Sequence, residues 1–176
     1  MQNIFQKTST VILLLLLITI VSRFAIASFE LEAHYMVYVI MLNILIGAYA
    51  GISRSRKASK GESFTFVMDL KSALSVNAAY SLLTAFFTYV YYKVLDPLYF
   101  TRTIKQRSEE IRTAGIQEGL NPEEIEKAIS NFTEASAYFM DAFNWSSITL
   151  FLLVFGSLIY GILLSLFVQK FPKMIQ

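Results

Sequence analysis

The chain has 176 residues, of which 55% are hydrophobic and only 16% are charged. Soluble domains carry about 25% charged residues, and here the apolar residues form four long runs, which argues against a water-soluble globular domain. The formal charge of +2 gives no reason to expect a nucleic-acid partner. Cysteine is absent, which excludes disulfides, thiolate catalysis and thiolate metal sites.

The first apolar run covers residues 11–28 and contains the unbroken leucines Leu13 to Leu17. At 1.5 Å per residue it is roughly 27 Å long, about the thickness of a hydrocarbon core. A cleaved signal peptide is the alternative, because Lys7 precedes the run and Ala25-Ile26-Ala27 resembles a cleavage site. Arg23 lies between the leucine-rich part of the run and that site, so we favour a retained transmembrane helix.

The second run, residues 35–52, follows after a short turn that contains Glu30 and Glu32. Such a short connection predicts an antiparallel pair with the first helix. The third run, residues 72–95, ends before Pro97, because the residue that precedes a proline disfavours helical geometry. The fourth run covers residues 145–168. The sequence therefore predicts an all-α integral membrane four-helix bundle that forms a single domain over residues 1–176.

Two segments outside these runs have helical patterns. In residues 61–71, Ser63 is a candidate cap, with Phe64, Val67 and Met68 on one side of the helix. This segment is either an interfacial helix or a cytoplasmic extension of the third span. In residues 98–144, isoleucine and phenylalanine recur at helical spacing among charged residues. Asn121-Pro122-Glu123-Glu124 indicates a helix start there, so this insertion is predicted to be an amphipathic helical hairpin that packs on itself, on the membrane or on a partner.

The loop after the second span is the most basic part of the chain. By the positive-inside rule this loop is cytoplasmic, which places both termini inside and the 98–144 hairpin outside. The same side chains are candidates for contact with lipid headgroups. They are Arg54, Arg56, Lys57 and Lys60.

Small residues recur in two spans at a spacing that lets helix backbones approach closely. These candidate helix-packing residues are Gly47, Gly51, Ser157, Gly161 and Ser165. We expect them to pack inside the bundle, with oligomerisation or a substrate path as alternatives. Three intramembrane polar residues, Arg23, Asn43 and Asn77, are predicted to face protein, because lipid penalises polar groups.

Catalytic signatures are scarce. His34 lies near Glu30 and Glu32, but three potential ligands on one turn do not make a metal site without the right geometry. The chain contains no HExxH, no GxSxG and no glycine-rich phosphate loop. We therefore expect no catalytic residue, no metal site and no cofactor.

Several features occur together in a fixed order: a two-helix hairpin, a basic loop, Gly61 followed by Ser63-Phe64, charged helices outside the membrane, and a last span with a basic tail. In this layout the chain resembles a domain-of-unknown-function family of small bacterial four-helix inner-membrane proteins. The resemblance implies a location in the bacterial inner membrane. It implies no activity and no cofactor.

Charged residues lie mainly outside the predicted spans and are almost absent inside them. This distribution favours a non-enzymatic accessory or structural subunit of a membrane protein complex, with the lipid bilayer and other membrane subunits as its partners. A small oligomeric transporter or channel, with Asn43, Asn77, Ser81 and Thr84 along its path, is the first alternative. A membrane enzyme that acts on a lipid-linked substrate through Arg23, His34 and the nearby Glu30 and Glu32 is the second.

Overall fold

The structure is a computed structural model that describes residues 2–29, 35–58 and 64–171, with the backbone alone for residues 2–7. Within these ranges the regular structure is entirely helical and contains no strand, which confirms the all-α prediction. The elements are α1 (Gln2–Ser28), α2 (Tyr35–Ala58), α3 (Phe66–Val90), a π-helical turn (Tyr91–Leu95), α4 (Tyr99–Gln117), α5 (Pro122–Phe139) and α6 (Ala142–Lys170).

Four of the described helical segments are long and apolar enough to cross a membrane. They are 21 to 30 residues long, or roughly 30 to 45 Å at 1.5 Å per residue, compared with about 30 Å of hydrocarbon. Each contains the main part of one predicted span and extends further into polar sequence. The segments are Thr8–Ser28, Tyr35–Ala58, Phe66–Leu95 and Ala142–Lys170.

The third of these segments begins earlier than its apolar run. Helix α3 starts at Phe66 and continues without a break, so residues 66–71 extend the span and do not form a separate interfacial helix. The predicted cap, Ser63, lies outside the described residues. At the other end, the Asp96 N–H donates to the Tyr91 carbonyl (2.8 Å) as the helix closes. The helix thus ends one residue before Asp96-Pro97, as predicted.

The described chain divides into two compact units, one within residues 1–85 and 150–176 and the other within residues 86–149. In the first unit, a buried cluster takes one residue from each of α1, α2, α3 and α6: Leu15, Ile44, Tyr80 and Leu153. A second cluster joins α2, α3 and α6 through Ala48, Ile52, Ala73 and Val168. Large apolar side chains also cover the outside of this unit, for example Leu13, Leu82 and Phe155. A hydrocarbon solvent accommodates such a surface, whereas water does not.

In the second unit, α4 packs against α5. A Cβ at Gly115 would lie 2.7 Å from Ile125 Cγ1, so glycine permits this close approach. Helix α4 closes with a Schellman motif, in which Gly119 has φ +75° and the Leu120 N–H donates to the Gly115 carbonyl (3.0 Å). An aromatic cluster packs at the start of α4: Phe87, Tyr91, Tyr92, Tyr99 and Phe100.

The start of α5 has the predicted form. Asn121 Oδ1 accepts from the Glu124 N–H (2.8 Å), and Glu124 Oε2 accepts from the Asn121 N–H (3.2 Å). Pro122 takes the first helical position, where the missing N–H costs nothing. This reciprocal capping box confirms the predicted helix start.

Candidate functional site

Three helices of the first unit meet at a buried polar network. Thr19 of α1 and Tyr80 of α3 share a hydrogen bond between their hydroxyls (2.7 Å). Asn43 of α2 donates to both hydroxyls, at 3.0 Å and 3.2 Å, and to the Leu15 carbonyl (3.2 Å). All three side chains are almost completely buried. One amide group therefore joins α1, α2 and α3 within the predicted spans.

A second amide contact joins α2 and α3. Asn77 Nδ2 donates to the Ile44 carbonyl (3.1 Å), and Asn77 Oδ1 faces Gly47, where an added Cβ would clash with that oxygen. Gly51 lies against the backbone of Ser72, where an added Cβ would also clash. The two glycines therefore bring α2 close to the polar face of α3, with room for the Asn77 amide.

Of the small residues of α6, Gly161 lies against the same helix. A Cβ at Gly161 would lie 3.0 Å from Leu70 Cδ1 and 3.7 Å from Ala73 Cβ, so α6 approaches α3 closely. Ser157 is buried and donates to its own helix at Leu153 O (2.6 Å). Ser165 is fully buried, and its hydroxyl has no hydrogen-bond partner among the described residues.

A buried carboxylate lies where α2 and α6 end and α3 begins. Asp69 is completely buried, and Arg56 binds it with two hydrogen bonds, Nε to Oδ1 (2.9 Å) and Nη2 to Oδ2 (2.6 Å). Gln169 donates to Asp69 Oδ2 (2.7 Å) and to the Phe64 carbonyl (3.1 Å). The Arg56 guanidinium also lies 5.4 Å from the centre of the Phe64 ring. We call Arg56, Asp69, Gln169 and Phe64 the carboxylate cluster.

The carboxylate cluster gives Arg56 a different environment from its neighbours in the basic loop. Its side chain is 13% exposed and its charge is paired in bidentate geometry. Arg54 is half-buried, and Lys57 is exposed near the end of α2. Lys60 lies outside the described residues.

The remaining predicted polar group is Arg23, which is 7% exposed in α1. The acids expected near it, Glu30 and Glu32, lie outside the described residues, and so does His34. Among the described residues, no group of three or more His, Asp or Glu side chains could hold a metal ion.

The second unit carries several exposed ion pairs. Arg112 joins α4 to α5 through Glu126 (2.8 Å) and also contacts Glu109 (3.2 Å). The hydrogen bond with Glu126 raises the pKa of Arg112, and the two nearby negative charges add to that effect. Several apolar side chains on these helices stay exposed, among them Ile116, Tyr138 and Phe139.

Sequence reasoning missed Thr19, Tyr80, Asp69 and Gln169. Thr19 and Tyr80 look like ordinary members of apolar spans, and Gln169 is 100 residues from Asp69. Asp69 did offer a signal. It is an acid next to a basic loop at the start of a long apolar helix, where an unpaired carboxylate would be costly.

Comparison with known proteins gives one match to a family. The family model described as "Protein of unknown function (DUF4199)" matches residues 8–170. No curated protein and no solved structure matches the chain.

Proposed function

Because this chain belongs to the DUF4199 family of proteins of unknown function, we propose its role from its own residues: a non-enzymatic accessory or structural subunit of a membrane protein complex. One observation carries this proposal. Polar side chains within the described spans join one helix to another, as in the Thr19–Asn43–Tyr80 network and the Arg56–Asp69 pair. Polar groups that are bonded to a neighbouring helix stabilise a scaffold, and they are not available to bind or react with a substrate.

The proposal includes a topology. The four apolar segments form a four-helix bundle in the bacterial inner membrane, with both termini in the cytoplasm. The basic end of α2 supports this orientation, because cytoplasmic segments next to spans carry an excess of lysine and arginine. Helices α4 and α5 then form a hairpin outside the cytoplasm.

That hairpin is the proposed surface for other subunits. Tyr138 is 80% exposed and Ile116 is 65% exposed, although large apolar side chains are usually covered. Exposed ion pairs, such as Arg107–Glu110, lie on the same hairpin. The exposed aromatic and apolar side chains support a role in partner contact, because aromatic residues are enriched in protein interfaces.

Co-purification tests this role. The tagged full-length protein is extracted gently from its native membrane, and proteins recovered in fixed stoichiometry are identified by mass spectrometry. We expect a constant set of membrane partners, reduced by Tyr138→Ser and unchanged by Ala135→Ser, an exposed control on the same helix. Recovery of this chain alone would contradict the proposal.

A second function is favoured by a specific observation on α3. Asn77 Oδ1 and Ser81 Oγ are buried and lack a hydrogen-bond partner among the described residues. Such groups can line the path of a small transporter or channel. Purified protein in liposomes would then move an ion or solute, and Asn77→Leu would abolish the flux. Absence of flux across a broad panel would reject this alternative.

A further inference from the structure

A shallow groove runs along the outward face of α3 near the carboxylate cluster. Its volume is about 430 Å³. It extends over three turns of the helix, and its side chains recur every three or four residues, as one face of a helix requires. The lining residues are Val67, Leu70, Lys71, Leu74, Ser75 and Ala78.

Most of this groove is apolar. Leu70 and Leu74 are half-buried because α6 passes beside them, with Gly161 close to both leucines. The Ser75 hydroxyl donates to the Lys71 carbonyl in its own helix (2.8 Å), which uses its one hydrogen-bond donor. The groove therefore presents hydrocarbon and small side chains along most of its length.

One charge lies near the N-terminal end of the groove, one helical turn after Val67. Lys71 is exposed, and the structure records no ion pair for it within the described part of the chain. The nearest acid in sequence, Asp69, is already bound by Arg56 and Gln169. The charge of Lys71 is thus not neutralised by Asp69, because that carboxylate binds Arg56 and Gln169.

The rest of this end of the first unit is also positive. Asp69 contacts α2 through Arg56 and α6 through Gln169, which brings the ends of these helices to the start of α3. Arg54, Lys57 and Lys170 lie on those ends. Asp69 is the single acid among the described residues of this unit. An anion is therefore favoured beside Lys71.

We propose that an anionic phospholipid binds here, with one acyl chain along the α3 groove and its phosphate at Lys71. The elongated apolar face fits the chain, and the positive end complements the headgroup. This site requires that α3 crosses a bilayer, and it does not depend on the role as an accessory subunit. It also differs from the basic loop, because Lys71 is on α3 and the Arg56 charge is already paired.

Binding of defined lipids to the purified full-length protein tests the site. Native mass spectrometry in detergent compares phosphatidylglycerol with phosphatidylcholine of identical acyl chains. We expect phosphatidylglycerol to bind preferentially and Lys71→Ala to weaken it by on the order of fivefold, as loss of one lysine near an anionic lipid predicts. Lys71→Arg should retain the preference.

Two further variants separate the headgroup from the chain. Ala78→Trp fills the groove at an exposed position without changing the charge, and we expect it to reduce phosphatidylglycerol binding. Lys105→Ala removes an exposed lysine from α4 and serves as the matched control, with unchanged binding expected. Wild-type binding by both Lys71→Ala and Ala78→Trp would overturn the proposal. Equal competition by glycerol phosphate, which lacks acyl chains, would also overturn it.

Discussion

The Asn77 amide and the Gly47 backbone occupy one small space between α2 and α3. Asn77 Nδ2 is satisfied by the Ile44 carbonyl, while its oxygen lies against the glycine. A Cα–H···O contact is the interaction left to that oxygen, and such contacts contribute about 0.5–1 kcal/mol. The close approach therefore depends on the absence of a side chain at residue 47.

Gly47→Ala should destabilise the protein by about 1–3 kcal/mol, the usual cost of an added methyl group in a well-packed core. The new Cβ would clash with Asn77 Oδ1. Reversible unfolding in mild detergent measures the loss, and Asn77→Ala in the same chain should recover part of it.

Gly156→Ala is the matched control in another apolar helix. Its Cβ would find ordinary contact, with Ile44 Cδ1 at 3.5 Å, so we expect almost no change in stability. Equal destabilisation by Gly47→Ala and Gly156→Ala would contradict the steric account.

Only some of the residues in the buried polar contacts could be identified from the sequence. Gly47, Gly51, Asn43 and Asn77 stand out because small or amide residues are unusual within apolar runs. Thr19 and Tyr80 do not stand out, since both occur in ordinary transmembrane helices. Their hydrogen bonds depend on how three helices are rotated about their axes, and hydropathy does not reveal that rotation.

Helices α2, α3 and α6 end or begin at the carboxylate cluster. Asp69 receives hydrogen bonds from Arg56 and from Gln169, so one carboxylate connects three elements. Burial removes water from Asp69, and the bidentate arginine compensates for that loss. Removal of one partner therefore leaves the other as an uncompensated charge.

Asp69→Leu should lower the free energy of unfolding by about 3 kcal/mol, near the lower end for a broken buried pair, because Arg56 is partly exposed. The double variant Asp69→Leu/Arg56→Met should lose less than the sum of the two single variants. Equilibrium unfolding of the wild type, the two single variants and the double variant gives the coupling energy. Additive losses would show that the pair does not act as a unit.

The helix ends show why the boundaries of a helix are harder to predict from sequence than the presence of the helix. The third span was predicted over 72–95, but its helix starts at Phe66. Hydropathy marks the part that suits hydrocarbon, whereas backbone hydrogen bonding continues into polar sequence. Arg56 and Lys57 even favour the end of α2, since cations stabilise helix C-termini. The start of α5 was predictable because Asn121, Pro122 and Glu124 act locally.

The molecule as a whole combines an apolar part with a charged, amphipathic part. Four described segments can cross a membrane, and α4 and α5 cannot, because charged residues recur along them. Composition alone predicted this division, because hydropathy and charge can be assigned without knowing which residues are in contact. The orientation that we propose rests on charge, with the basic end of α2 assigned to the cytoplasm.

Labelling of single cysteines tests that topology, because the natural sequence has none and gives no background. Glu118→Cys and Lys57→Cys both place a thiol at an exposed position. A membrane-impermeant maleimide should label Glu118→Cys in intact spheroplasts. It should label Lys57→Cys only after the membrane has been permeabilised. The opposite pattern would invert the proposed orientation.

The carboxylate cluster also has a consequence for biosynthesis. Arg56 and Asp69 are 13 residues apart and leave the ribosome almost together, whereas Gln169 follows 100 residues after Asp69. The first three helices can therefore enter the bilayer with the ion pair formed and without the Gln169 hydrogen bond to Asp69. Gln169 completes the cluster only when the last helix has been inserted. In a nascent chain truncated before Gln169, Asp69 would have one hydrogen bond fewer than in the longer chain.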